Sequence, residues 1–230
     1  MRALRCALLG AGFVAGVIGS AGAATSYPNM APAAEYAVAS RDAEIALARS
    51  GAPPSVSNDA DVLVLGAKGY EQAVKGKNGF TCLVLRSWTA GFEDAVFWNP
   101  KIRGPACLNP AAVRSVLPHV LERARWVQAG VSRTEMLART KAQLASGAYV
   151  MPDAGAMCFM MSKEGYLSDD AGHWHPHVMF YVGNTDAAAW GADLPGSPVM
   201  AGPMAPEPVT IFFVPVKKWS DGTPETMDMK

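Results

Sequence analysis

Three of the four histidines fall within one pentapeptide, His173-Trp174-His175-Pro176-His177. Imidazole is a good ligand for zinc and copper and titrates near neutral pH, so such a run points to metal binding or to acid–base work. On an extended chain successive side chains alternate. His173, His175, His177, Met179 and Tyr181 then share one face, and Trp174, Pro176, Val178, Phe180 and Val182 share the other. The second set is wholly apolar and is expected to turn into the core. That would leave three imidazoles, a thioether and a phenol lining the opposite surface. Residues two apart on a strand lie about 7 Å apart at Cα, a span two imidazoles can bridge around one ion. All three reach one ion only if the chain bends, and Pro176 is placed to bend it.

On this pattern His173, His175 and His177 are the candidate metal ligands. Asp169, Asp170, Cys158 and His119 are candidates for the remaining position. Sulfur at Met157, Met160, Met161, Met179 and Cys158 tilts the choice between zinc and copper slightly toward copper. Asp169 and Asp170 are candidate catalytic acids, able to orient an imidazole or to relay protons to a metal-activated water. Tyr181, Met179 and Trp190 are candidate substrate contacts. Cys158 offers a second chemistry, a thiolate nucleophile with one of the clustered histidines as its base. The chain has no G-x-S-x-G elbow, no H-E-x-x-H helix and no calcium-loop pattern. Three readings stand: a histidine-lined small-ligand or transition-metal site, with metal-dependent hydrolysis as its chemistry; a non-catalytic periplasmic binding or interaction module, in which the same face and a loop bearing Trp88 and Trp98 recognise a partner; and a Cys158 thiol hydrolase. The partner expected is a small molecule or a metal ion.

Composition removes other classes. The chain has 230 residues, 20 basic and 20 acidic side chains, and a charged fraction of 17 %. A neutral balance without charge runs argues against both disorder and nucleic-acid binding. Arg2 and Arg5, the apolar stretch from Ala7 to Ile18 and the small residues Ala21-Gly22-Ala23 spell a secretory signal peptide over residues 1–23, cleaved near Ala23. An apolar run of about 12 residues falls short of the roughly 20 that cross a bilayer, so no transmembrane span is expected. The protein is therefore read as exported, periplasmic or extracellular. Three cysteines then remain, and an exported chain pairs its thiols. Cys82 with Cys107 is the favoured pair because it staples an irregular loop, which leaves Cys158 free.

The elements that must position these residues can be read in outline. Residues 24–39 look loosely ordered. Ser40 caps a helix that Gly51 and Pro53-Pro54 end. Asp61 to Leu65 reads as a strand covered on both faces. Tyr70–Val74 and Phe80–Arg86 are expected to form a hairpin around Asn78-Gly79. Residues 87–108 read as a long ordered loop pinned by aromatics. Asn109-Pro110 opens a helix to about Gln128, irregular at Pro118, and a capping box at Ser132-Arg133-Thr134-Glu135 opens another that ends near Gly147. Strands return at Met157–Ser162, Trp174–Val182 and Val209–Val216, with a long Gly-, Pro- and Ala-rich loop over 183–208. Helices grouped between strands predict an α+β fold, a single domain over 40–230 with a largely antiparallel sheet and a central group of helices packed on it.

Overall fold

The computed structural model describes residues 27–169 and 172–226. The expected leader, its cleavage position and Asp170 lie outside the described residues. Eight strands form one sheet: β1 (Asp61–Gly66), β2 (Gly69–Val74), β3 (Thr81–Leu85), β4 (Gly104–Leu108), β5 (Met157–Met160), β6 (His177–Gly183), β7 (Met200–Pro203) and β8 (Val209–Pro215). Their spatial order is β2-β1-β3-β4-β5-β6-β8-β7. The β1–β3 pair is parallel and every other neighbouring pair is antiparallel. Among the described residues five α-helices accompany the sheet: α1 (Arg41–Arg49), α2 (Pro54–Ser57), α3 (Pro110–Ser115), α4 (Leu117–Gln128) and α5 (Arg133–Ser146). The fold is α+β with a largely antiparallel mixed sheet.

The central strands are buried on both faces. Val62, Cys82, Val84 and Cys107 point toward α1 and pack on Ala48 and Ala52. Leu83, Leu85, Ala106 and Leu108 point the other way, with Ala112 and Leu117 of α3 and α4 over them. Cys82 and Cys107 are direct cross-strand partners and form a disulfide. Side chains so paired project to one face at short range, which is the placement a disulfide needs.

The caps follow their sequence signals. The Ser40 side chain accepts from Ala43 N and that of Asn109 from Ala112 N, and the helix that begins there breaks at Val116, just before Pro118. Ser132 accepts from Glu135 N, but the Glu135 carboxylate turns to Arg139 at 3.0 Å, so only half of the capping box forms.

Three expectations give way. β2 pairs with β1, not with β3, because the chain after β2 crosses the end of β1 to reach its other side. At that crossing Gly76 lies flat on the backbone, where a Cβ would come within 2.4 Å of Asp59 O. Lys77 N donates to Asp59 O at 2.8 Å and Gly76 N to Asp61 Oδ1 at 2.6 Å. Asn78-Gly79 therefore closes a crossover and not a hairpin. Residues 104–108, expected as loop, form β4 at the centre of the sheet, although Pro105 lacks a ladder donor. The aromatic loop before it is pinned as its composition implies, with Trp88, Phe92, Phe97 and Trp98 packed on Ala124, Val127 and Met136. The described part of 24–39 is held in place: Tyr36 is fully buried and its hydroxyl donates to Trp98 O at 3.0 Å.

Candidate functional site

The histidine run divides on folding. Strand β6 begins only at His177, so the alternation does not reach His173 and His175. Pro176, which cannot donate an amide, stands at the strand entry, and its carbonyl accepts from Val216 N. His173 meets Trp219 edge-on, with 5.5 Å between ring centroids. His175 places Nδ1 3.8 Å from Glu225 Oε2. His177 is buried against Trp174 and Phe213, with Nδ1 2.7 Å from His175 O. Burial holds its pKa down at about 4, so the ring is neutral at physiological pH. Among the described residues, no group of three or more histidine, cysteine, aspartate or glutamate side chains is arranged to hold a metal ion.

Both faces of β6 are covered, the odd-numbered one more deeply at its start. His177 and Met179, on the face predicted to be open, are buried, whereas Val178, Phe180 and Val182 are half-buried. The alternation itself holds. Which face turns inward is decided by α3 and α4, which lie on the odd-numbered side, while Phe180 on the other side is covered by Trp190 stacked on Phe212 at 4.3 Å.

The remaining candidates have other partners. Asp169 accepts from the hydroxyls of Tyr27 and Tyr166, from Lys101 Nζ at 3.0 Å and from Asn99 Nδ2 at 3.3 Å. The two tyrosine hydroxyls, followed by Lys101, hold its carboxyl well below the usual carboxylate range. None of these partners is a histidine, so Asp169 clasps the N-terminal segment to residues 99–101 and does not orient an imidazole. Cys158 is fully buried, and its sulfur lies 3.3 Å from the Tyr181 hydroxyl. Burial pushes its pKa up to about 12 against the smaller opposing pull of that hydroxyl, which keeps it a thiol where catalysis needs a thiolate. His119 stacks on Tyr149 at 4.0 Å and donates from Nε2 to Val150 O at 2.8 Å.

What the fold does bring together is a cavity of about 610 Å³ between the sheet and α3–α4. Its floor is the inward face of the sheet, with Leu85, Met160, Met179, Tyr181, Ile211 and Phe213. Its wall is Ser115, Val116, His119, Val120 and Arg123, and the exposed residues Asp94 and Pro203 mark its mouth. Met179 and Tyr181, two of the three candidate substrate contacts, lie on this floor. Trp190 borders a separate hollow of about 420 Å³ on the opposite side of β6.

One end of the larger cavity is polar. Arg123 is buried and spans two segments: Nη1 donates to Trp88 O at 3.0 Å and to Ala90 O at 2.8 Å, while Nη2 pairs with Glu207 Oε1. Its guanidinium lies 4.2 Å from the centre of the Phe92 ring. Glu207 belongs to the turn between β7 and β8 and is 7 % exposed, yet among the described residues its Oε2 has no hydrogen-bond partner, and neither has the buried hydroxyl of Ser87. The Tyr149 hydroxyl is raised in pKa, first by burial and then by the Glu207 charge. Sequence reading passed over Arg123, Glu207 and Ser87. A signal existed for the first, because Arg123 falls on the apolar stripe of α4 with Val116, Val120 and Val127, where a charge needs a buried partner.

An α+β scaffold that holds an apolar cavity with one ionic end is the class that fold and site define. Compared with family models, with curated proteins and with solved structures, the chain matches none.

Proposed function

We propose that this is an exported binding protein for a small, largely apolar molecule, which it holds in the cavity beneath α3 and α4. The observation that carries this reading is the cavity itself. Its volume lies within the range of small-molecule sites and its walls are mostly apolar, with the Arg123–Glu207 pair and Ser87 among the polar groups that can orient a ligand. Export is supported by the leader pattern of residues 1–23 and by the Cys82–Cys107 disulfide, a bond that persists in oxidising compartments. Binding is favoured over catalysis by the state of the reactive groups. The Cys158 thiol is kept protonated, and the one histidine on the cavity wall is held by a ring stack and a carbonyl.

The test is a fluorescence titration with N-phenyl-1-naphthylamine, a neutral apolar dye that brightens in a dry site. Saturable binding is expected in the native protein. It is expected to disappear in Val120→Trp, whose indole enters the cavity from α4, while a cooperative melting transition shows that the variant is folded. Absence of saturable binding to the native protein, or equal binding to both proteins, overturns the proposal.

A further inference from the structure

The polar end of the cavity carries information about the ligand's head group. Two buried side-chain oxygens on the cavity wall, Glu207 Oε2 and Ser87 Oγ, lack partners. Both are held beside Arg123, Glu207 by its ion pair and Ser87 through the turn whose Trp88 and Ala90 carbonyls receive the guanidinium. A buried carboxylate oxygen without a donor costs more free energy than a hydrogen bond to it contributes, so the site is incomplete until something donates to it. A carboxylate oxygen can only accept, and a hydroxyl can do either.

The charge balance narrows the donor further. Arg123 and Glu207 neutralise each other, Arg86 on the same wall is paired with Glu44, and Asp94 stands exposed at the mouth, which leaves no net charge at the inner end. An anionic head group would face the open carboxylate oxygen, and a cationic one would face the guanidinium. Each would also bring an uncompensated charge out of water. A neutral donor meets neither penalty. The rest of the wall, including Val120, Met179, Ile211 and Phe213, suits an aliphatic or ring body.

We infer that the cavity selects an apolar molecule bearing a neutral hydroxyl, which donates to Glu207 Oε2 and accepts from Ser87 Oγ. This rests on the proposed binding function and specifies its ligand class. Aliphatic alcohols and ring alcohols share the chemistry, and the head group is what the site reads.

The experiment is displacement of N-phenyl-1-naphthylamine by three compounds of one chain length, each below its micellar concentration: decan-1-ol, decanoate and decylammonium. In the native protein decan-1-ol is expected to displace the dye at concentrations roughly tenfold or more below those of the two ions, the ratio that an unpaired buried group imposes. In Glu207→Gln the open acceptor loses its charge and Arg123 loses its counter-ion, so decanoate is expected to gain on decan-1-ol. Should that variant fail to fold, Ser87→Ala serves instead, and the lead of decan-1-ol is expected to shrink while dye binding is kept. Equal displacement by all three compounds, or a lead for decanoate in the native protein, overturns the hydroxyl inference and leaves the binding function standing. Failure of the dye itself to bind overturns both.

Discussion

Two buried arginine–glutamate pairs sit in this protein, and they are finished to different degrees. On the β1–β3 side Arg86 is fully buried and each of its nitrogens has a partner. Nε donates to Tyr36 O, Nη1 to Val84 O and Nη2 to Glu44 Oε1, which also accepts from Leu65 N. This pair ties the N-terminal segment, α1, β1 and β3 into one unit, close to the Cys82–Cys107 disulfide. On the cavity side Arg123 ties α4 to the aromatic loop and to the β7–β8 turn, but one oxygen of Glu207 is left without a donor. A pair whose guanidinium is engaged at every nitrogen is a structural joint. A pair with one place left for a donor, on the wall of an apolar cavity, is a joint with room for a guest.

The sharpest way to break this comparison is to remove the same charge from each pair. Glu44→Gln leaves the fully buried Arg86 guanidinium without its counter-ion, and the expected loss is about 3–5 kcal/mol. Urea unfolding of Glu44→Gln beside the native protein measures it. A loss near zero would mean that the closed pair contributes nothing to the joint.

His177 lies between the two cases, since its Nδ1 contact to the His175 carbonyl is complete but its ring tolerates burial only when neutral. Its pKa is about 4 in the fold against 6.5 ordinarily, lowered chiefly by burial and slightly by the neighbouring His175. Between those values the unfolded chain takes up a proton that the folded chain refuses. Stability therefore falls as pH drops from about 6.5 toward 4, by about 3 kcal/mol in all, and this contribution is constant above pH 6.5. In His177→Phe that part of the acid sensitivity is expected to vanish. The check is the difference between the two stability curves, which should change with pH only below about 6.5. A difference that changes equally above that pH would show that burial of the ring is not its source.

How much of this was legible in the sequence depended on the range of the interaction. Caps and breaks were readable at Ser40, Asn109, Ser132 and Pro118, because each acts within a turn of the chain. Three cysteines after the leader pattern allow three pairings, and Cys82–Cys107 was favoured only as a staple for the residues between them. Pairing across the sheet was not readable. The Asn78-Gly79 signal is a real turn signal, but β1 had already taken β2 as its partner, and local chemistry does not know which strand edge is occupied. The period-two alternation of β6 was legible, but not the cover over its odd-numbered face, because what lies over Met179 and Tyr181 is α3 and α4, some sixty residues earlier in the chain. The histidine run drew attention by its composition, yet Pro176 and the late start of β6 separate its members. Arg123 and Glu207 drew none, being 84 residues apart, although a charge on the apolar stripe of a helix is the kind of local inconsistency that marks a distant partner.

The smallest expected effect sharpens the comparison most. Glu207→Gln removes the same charge as Glu44→Gln from a pair that is equally buried by exposure, 5 % in both glutamate side chains. The surroundings differ. The amide keeps an oxygen for Arg123 Nη2, the Trp88 and Ala90 carbonyls still hold Nη1, and the altered group at 207 lines the cavity, where water can reach it, whereas Glu44 does not. The expected loss is therefore about 1–2 kcal/mol, well under that at Glu44. If decan-1-ol donates to Glu207 Oε2, saturating amounts should raise the melting temperature of the native protein more than that of Glu207→Gln, since a ligand stabilises only the state that binds it. Matched unfolding curves for the two variants, with and without decan-1-ol, read both quantities at once. Equal losses at the two sites would mean that the cavity gives Arg123 no relief. An equal rise in melting temperature for the native protein and Glu207→Gln would show that the alcohol does not use the open oxygen.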